Sequence, residues 1–97
     1  MKAVFIAYNQ ALTEAMNTIL DRLNIRGYSK WADVQGRGTY NGEPHFGSHT
    51  WPAMNSAILA IMEEEAVEPL LTVLKKLNAK AEQQGLRAFV WNIEDVI

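Results

Sequence analysis

Residues 3–8 (Ala-Val-Phe-Ile-Ala-Tyr) are apolar without a break and rich in β-branched and aromatic side chains, which suits a central strand covered on both faces. The period then changes. Leu12, Ala15, Met16, Ile19, Leu20 and Leu23 fall on one helical stripe, and Glu14, Asn17, Asp21 and Arg22 lie off it. Gly27 follows at a point where a chain leaving a helix often takes positive φ. Tyr28 to Val34 reads as a second strand, with Tyr28, Trp31 and Val34 as its bulky members. Gly36-Arg37-Gly38 breaks that pattern, and Asn41-Gly42 is a hairpin signal, because both residues tolerate positive φ. Thr39-Tyr40 and Glu43 to Phe46 are the expected sides of that hairpin. Gly47, Ser48 and Pro52 keep the chain irregular as far as Asn55.

Ser56 to Met62 is a third strand, apolar on both faces. Glu63-Glu64-Glu65 opens a second helix with acidic side chains where the helix dipole favours them. Pro69 is expected near its first turn, where a missing N–H matters least. Val67, Leu70, Leu71, Leu74, Leu77 and Ala81 form the second stripe, and Gly85 ends the helix. Ala88 to Ile93 is the last strand, with Phe89, Trp91 and Ile93 alternating against Val90. The order β-α-β-β-α-β predicts an α+β, ferredoxin-like domain spanning residues 1–97, a four-stranded antiparallel sheet with two helices on one face. The other face is expected to carry Val4, Ile6, Trp31, Ile58 and Trp91. It is too apolar to face water, which predicts a homo-oligomer built on it.

Composition narrows the function. With 48% hydrophobic and 21% charged residues over 97 positions, the chain is globular rather than disordered. A net charge of -2 and a pI near 5.6 argue against nucleic acid as a partner. The absence of cysteine excludes a disulfide framework, a thiolate zinc site and a cysteine nucleophile. The apolar N-terminal run is too short for a signal peptide or a membrane span, so a soluble, cytoplasmic protein is expected.

The second strand ends in Asp33-Val34-Gln35-Gly36-Arg37-Gly38 and opens a long loop, while Asn24-Ile25-Arg26-Gly27-Tyr28 forms the preceding helix-to-strand junction. In these features the chain resembles the P-II signal-transduction (nitrogen regulatory) family and its P-II-like relatives, where a Val-x-Gly-x-Gly type sequence opens the mobile T-loop. The likeness spans nearly the whole chain in topology, and its sequence part rests on the two glycines. The resemblance implies a homotrimer that is not an enzyme. It implies sensing of small ligands, commonly adenine nucleotides, in clefts between subunits, with the result relayed to a protein target through loop 39–55. Ligand binding would order that loop. The family's second phosphate loop is rich in Gly and Lys; here the stretch is Gln83-Gln84-Gly85-Leu86-Arg87, and no basic extension follows the last strand. Phosphate needs several converging donors, so the expected ligand is a nucleotide or another anion rather than ATP bound in the family manner. Trimeric CutA-type metal-tolerance proteins share the architecture and keep a divalent metal open as the ligand.

Read residue by residue, Gly36-Arg37-Gly38 brings backbone N–H groups and a guanidinium to an anion. The same glycines would also suit a loop base that needs a bulge or positive φ. Lys30 and Arg87 are further anion contacts, and Trp51 beside Pro52 is the aromatic placed to stack on a ligand or a partner. Trp31 and Trp91 fall in strands and read as core or interface. His45 and His49, with Glu43 two residues before His45, supply ligand types for zinc or copper, and one ligand per subunit could converge on a trimer axis. Exposed or structural loop histidines fit the same positions. A third reading is a small cleft enzyme of the monooxygenase or isomerase type, with His45, His49, Glu43 and Tyr40 as its acid–base candidates. Against it, both histidines sit in the loop rather than on elements that line such a cleft.

Overall fold

The computed structural model describes residues 1–38, 40–80 and 85–97. The chain runs through β1 (Lys2–Asn9), a 3-10 turn (Gln10–Leu12), α1 (Thr13–Arg22), β2 (Tyr28–Val34), β3 (Asn55–Met62), α2 (Glu64–Lys80) and β4 (Arg87–Asn92). The strands form one sheet in the order β2-β3-β1-β4, and each neighbouring pair is antiparallel. This is the ferredoxin-like arrangement, with β1 at the centre between β3 and β4.

Register decides which side chains meet the helices. Val4 pairs with Ala60 and Val90, Ile6 with Ile58 and Ala88, and Tyr8 with Ser56. These positions share one face, where Val4, Ile6, Tyr8, Ile58, Ala60 and Met62 join Met16, Ile19 and Leu20 of α1 and Leu70 and Leu74 of α2 in one buried cluster. Val4, Ile6 and Ile58 therefore belong to the helix side, which corrects the sequence assignment. A strand that is apolar on both faces carries no alternation to say which set faces the helices. The opposite face holds Ala3, Phe5 and Ala7 of β1 with their partners Ala57, Leu59, Ile61, Phe89 and Trp91, and Trp31 through Ala57. Trp31, Phe89 and Trp91 on that face are 47%, 51% and 48% exposed.

Local chemistry sets the helix ends. Asn9 caps the 3-10 turn by accepting from the Ala11 N–H at 2.9 Å. At the other end of α1, the Ile25 N–H reaches Leu20 O at 2.9 Å and the Asn24 N–H reaches Asp21 O at 3.1 Å. This is a Schellman closure, and its left-handed residue is Asn24 at φ 55°. Positive φ thus falls on Asn24 rather than on Gly27, whose carbonyl instead accepts from the Ile61 N–H at 2.9 Å and begins the β2–β3 pairing. In α2, Pro69 stands five residues beyond Glu64, past the first turn that the sequence suggests for it. Its missing N–H leaves the Glu65 carbonyl without its helical donor, on an exposed side of the helix where water serves. Ala81 of the second stripe lies outside the described residues, as does the helix end expected before Gly85. No helix among the described residues is long and apolar enough to cross a membrane.

Tyr8 carries the one buried side-chain polar atom without a hydrogen bond among the described residues. Burial pushes its phenol above the ordinary value of 10.0, and the nearby hydroxyls of Ser56 and Thr13 offset part of that shift. Neither hydroxyl is aligned to bond it: Ser56 Oγ donates to Ala32 O at 2.5 Å and Thr13 Oγ1 to Gln10 O at 2.7 Å. The folded state holds the Tyr8 proton more tightly than the unfolded chain, so stability is undiminished below pH 10 and falls as pH rises toward and through the folded value. Tyr8→Phe removes an unsatisfied group while keeping the ring. It should leave stability in urea unchanged or raised by up to about 1 kcal/mol, and it should flatten the loss above pH 10. A clear destabilisation at neutral pH would show that the hydroxyl is bonded.

Candidate functional site

The long β2–β3 loop is rooted by a change of register. Pairing shifts between Trp31 and Val34, and the displaced Ala32 carbonyl accepts from both Gln10 Nε2 at 2.6 Å and Ser56 Oγ at 2.5 Å. Gln10 Nε2 also reaches Asp33 Oδ1 at 2.6 Å, and the Gln10 N–H reaches Met54 O at 2.9 Å. One residue of the β1–α1 turn therefore holds both ends of the loop.

Within the loop the backbone pairs twice. Gly36 and His45 exchange both hydrogen bonds, at 3.0 and 2.6 Å, and Gln35 Nε2 supports them by donating to Phe46 O at 3.0 Å. Phe46 then bridges Met54, the Gly47 N–H donates to Ala53 O at 2.9 Å, and the Ser48 N–H donates to Trp51 O at 2.8 Å. Trp51 returns a bond from its N–H to Ser48 Oγ at 3.0 Å. The segment 45–54 is thus held by backbone pairs at Gly36–His45, Phe46–Met54, Gly47–Ala53 and Ser48–Trp51. The hairpin expected at Asn41-Gly42 is displaced. A turn occurs at Tyr40 and Asn41, but positive φ falls on Gly47 (64°), where the chain swings from the first bridge to the second. Thr39 lies outside the described residues.

Two glycine segments that the sequence separates meet here. A Cβ on Gly38 would stand 2.9 Å from Gly85 O and 3.2 Å from Gly85 Cα, a backbone-to-backbone approach that only glycine permits. Gly85 has φ 69°. A Cβ on Gly36 would stand 3.0 Å from Asn55 Nδ2. His45 and Asn55, 5% and 4% exposed, are joined by His45 Nδ1 and Asn55 Oδ1 at 2.6 Å. Asn55 and Gly85 are the site members that sequence reasoning missed. Asn55 read only as the end of an irregular stretch, and Gly85 as a helix stop beside an expected phosphate contact. Gln83 and Gln84 of that expected phosphate loop lie outside the described residues.

The remaining candidates are spread more widely. Arg37 is exposed beside the Gly38–Gly85 contact. Among the described residues the Arg37 and Gly38 amides donate to no backbone group, whereas the Gly36 amide is committed to His45. Arg87 shares the open sheet face with Phe89, its guanidinium carbon 5.8 Å from that ring's centroid. Lys30 turns toward α1, its Nζ 3.3 Å from Asn17 Oδ1. Trp51 and His49 sit at the tip of the second hairpin, both exposed, and Glu43 is exposed before Pro44. His45 is thus buried while His49 and Glu43 are not. Among the described residues no three of His, Asp and Glu stand together as a metal set. Chemically, the loop base offers a guanidinium and two amides that donate to no backbone group among the described residues, beside a glycine-lined contact, donor types suited to a small oxyanion or a phosphate.

The family model for nitrogen regulatory protein P-II matches residues 1–97. The structure is similar to CPII, a nitrogen regulatory PII-like protein from Thiomonas intermedia K12, in its apo form, with TM-score 0.72, 25% identity, and 95% of this chain and 87% of that chain covered. It is similar also to the same protein bound to ADP and bicarbonate, with TM-score 0.75, 26% identity, and 95% and 84% covered. A PII-like signaling protein from Thermus thermophilus shares the fold, with TM-score 0.67, 24% identity, and 95% and 85% covered. A search of curated proteins finds no match.

Gly38→Ala must push two backbone segments apart, whereas Gly36→Ala meets only the end of a side chain. Gly38→Ala should lower stability in urea by about 1–3 kcal/mol, as overpacking does, and Gly36→Ala by less. Equal effects from the two would contradict the close approach at Gly85.

Proposed function

The chain belongs to the nitrogen regulatory protein P-II family and is a PII-like regulatory protein, and from that premise we propose that it is a non-catalytic, cytoplasmic homotrimer that senses an adenine nucleotide and a small oxyanion at its subunit clefts. The observation that carries this reading is the loop base. Arg37, and the amides of Arg37 and Gly38 that donate to no backbone group among the described residues, stand where the loop meets Gly85. A guanidinium holds a phosphate or a bicarbonate by paired N–H bonds, and backbone amides add donors that no side-chain motion can withdraw. CPII from Thiomonas intermedia, 26% identical, is the relative solved with ADP and bicarbonate, which supports that pair as the ligands to try first.

Arg87 and Trp51 complete the proposed contacts. Arg87 lies two residues after Gly85 on the face that carries Trp31, Phe89 and Trp91. That apolar face is the surface on which we place the trimer, because three half-exposed aromatics over a strand already buried on its other side are better removed from water. A ligand beside Arg37 would then lie close to a subunit boundary. Trp51 and Pro52 give the second hairpin an exposed apolar tip, and Phe46 an exposed ring at its base, suited to contact a protein target. CPII from Thiomonas intermedia is also solved with ADP and AMP together, which supports these nucleotides ahead of ATP.

Calorimetric titration of ADP, AMP, ATP and bicarbonate tests the reading. ADP should bind the parent at least as tightly as ATP does. Arg37→Ala, an exposed substitution, should weaken ADP by about tenfold or more, the loss of a charge-assisted pair. Unchanged ADP affinity in Arg37→Ala would place the ligand elsewhere.

A further inference from the structure

His45 touches three parts of the site at once. Its backbone N–H and C=O pair with Gly36, at 2.6 and 3.0 Å. Its ring is anchored through Nδ1, 2.6 Å from Asn55 Oδ1. An amide oxygen can only accept, so Nδ1 carries the proton and the tautomer is set. The ring carbon next to that nitrogen faces the turn before β4, with Cε1 3.6 Å from the point where a side chain on Gly85 would begin. Asn55 is itself fixed in β3, opposite Asn9 of β1 and Val34 of β2. The ring is therefore held by the sheet and faces the glycine whose carbonyl would crowd a side chain on Gly38.

His49 of the same loop is exposed, whereas His45 is 5% exposed and its Nδ1 meets a buried partner. Burying a polar ring beneath a loop is costly unless it is bonded, and what it gains here is a rigid spacer between two segments far apart in sequence. We propose that His45 is a positioning residue that sets the gap between the Arg37–Gly38 amides and Gly85, and so shapes the ligand cradle. This rests on the ligand reading above. His45 is also the residue before Phe46, where the second hairpin begins, so a shift of Gly85 or Gly38 on ligand binding reaches the Phe46–Met54 bridge through one peptide unit.

His45→Asn separates the anchoring role from the spacing role. The asparagine amide keeps a donor near the Nδ1 position for Asn55 but removes the ring edge that meets Gly85. The variant should stay folded, and its amide NMR signals should shift at Gly38, Gly85 and Gly47 more than along β1 and β3. ADP affinity should fall about tenfold, as expected when donors lose their aim. If His45→Asn does not fold, His45→Gln, which keeps a longer amide under the cradle, is read in the same way. A folded variant with unmoved Gly38 and Gly85 signals, or with shifts spread evenly over the sheet, overturns the proposal. So does unchanged ADP affinity in a protein whose parent binds ADP. A parent that binds no ADP would defeat the ligand reading instead, and the amide signals alone would then uphold or overturn the spacing role of His45.

Discussion

β1 pairs with a strand on each side and is apolar on both faces. A strand so placed has no route to water for its backbone, and its side chains need a dry cover above and below. On one face the helices supply it, and Val4, Ile6 and Tyr8 sink into the cluster with Met16, Leu20, Leu70 and Leu74. On the other face Ala3 is shielded by its neighbours, but Phe89 and Trp91 opposite Phe5 and Ala3 remain half exposed. The fold is thus complete on one side and calls for a partner on the other. In the proposed trimer that demand brings Arg87, on the same face, to a subunit boundary.

The second constraint is the length of the β2–β3 connection. A loop of this size would ordinarily lose much conformational entropy on ordering. Here Gln10 ties both of its roots, and the Gly36–His45 and Phe46–Met54 bridges divide it into shorter turns. Each turn is short enough to be held by a few bonds. The glycines at 38 and 85 allow the loop base to lie directly on the segment before β4. Anchored roots with an exposed tip are the arrangement in which a small movement at the base changes the presentation of Trp51 and Phe46 to a target.

Much of this was legible in the chain. The change between short apolar runs and a 3.6-residue stripe marked the strands and helices, and the Gly36-Arg37-Gly38 segment marked the base of the loop. What was not legible had particular causes. The parity of β1 and β3 is invisible where both faces are apolar, so Val4, Ile6 and Ile58 were placed on the wrong side. Asn24 took the left-handed position because the Schellman closure falls where the last buried turn of α1 ends, ahead of the more obvious Gly27. The turn inside the Gly36–His45 bridge falls at Tyr40 and Asn41, one residue ahead of Asn41-Gly42, and positive φ in the loop falls on Gly47. The meeting of His45, Asn55 and Gly85 joins residues from three separate stretches, and no local pattern records a contact of that range.

The central claim is that the apolar sheet face closes a trimer whose clefts bind ADP beside Arg37. Native mass spectrometry of the freshly purified protein, alone and with ADP added, tests both halves together. The account predicts a trimer whose mass rises by bound ADP. A monomer or dimer, or a trimer whose mass does not change with ADP, would contradict it.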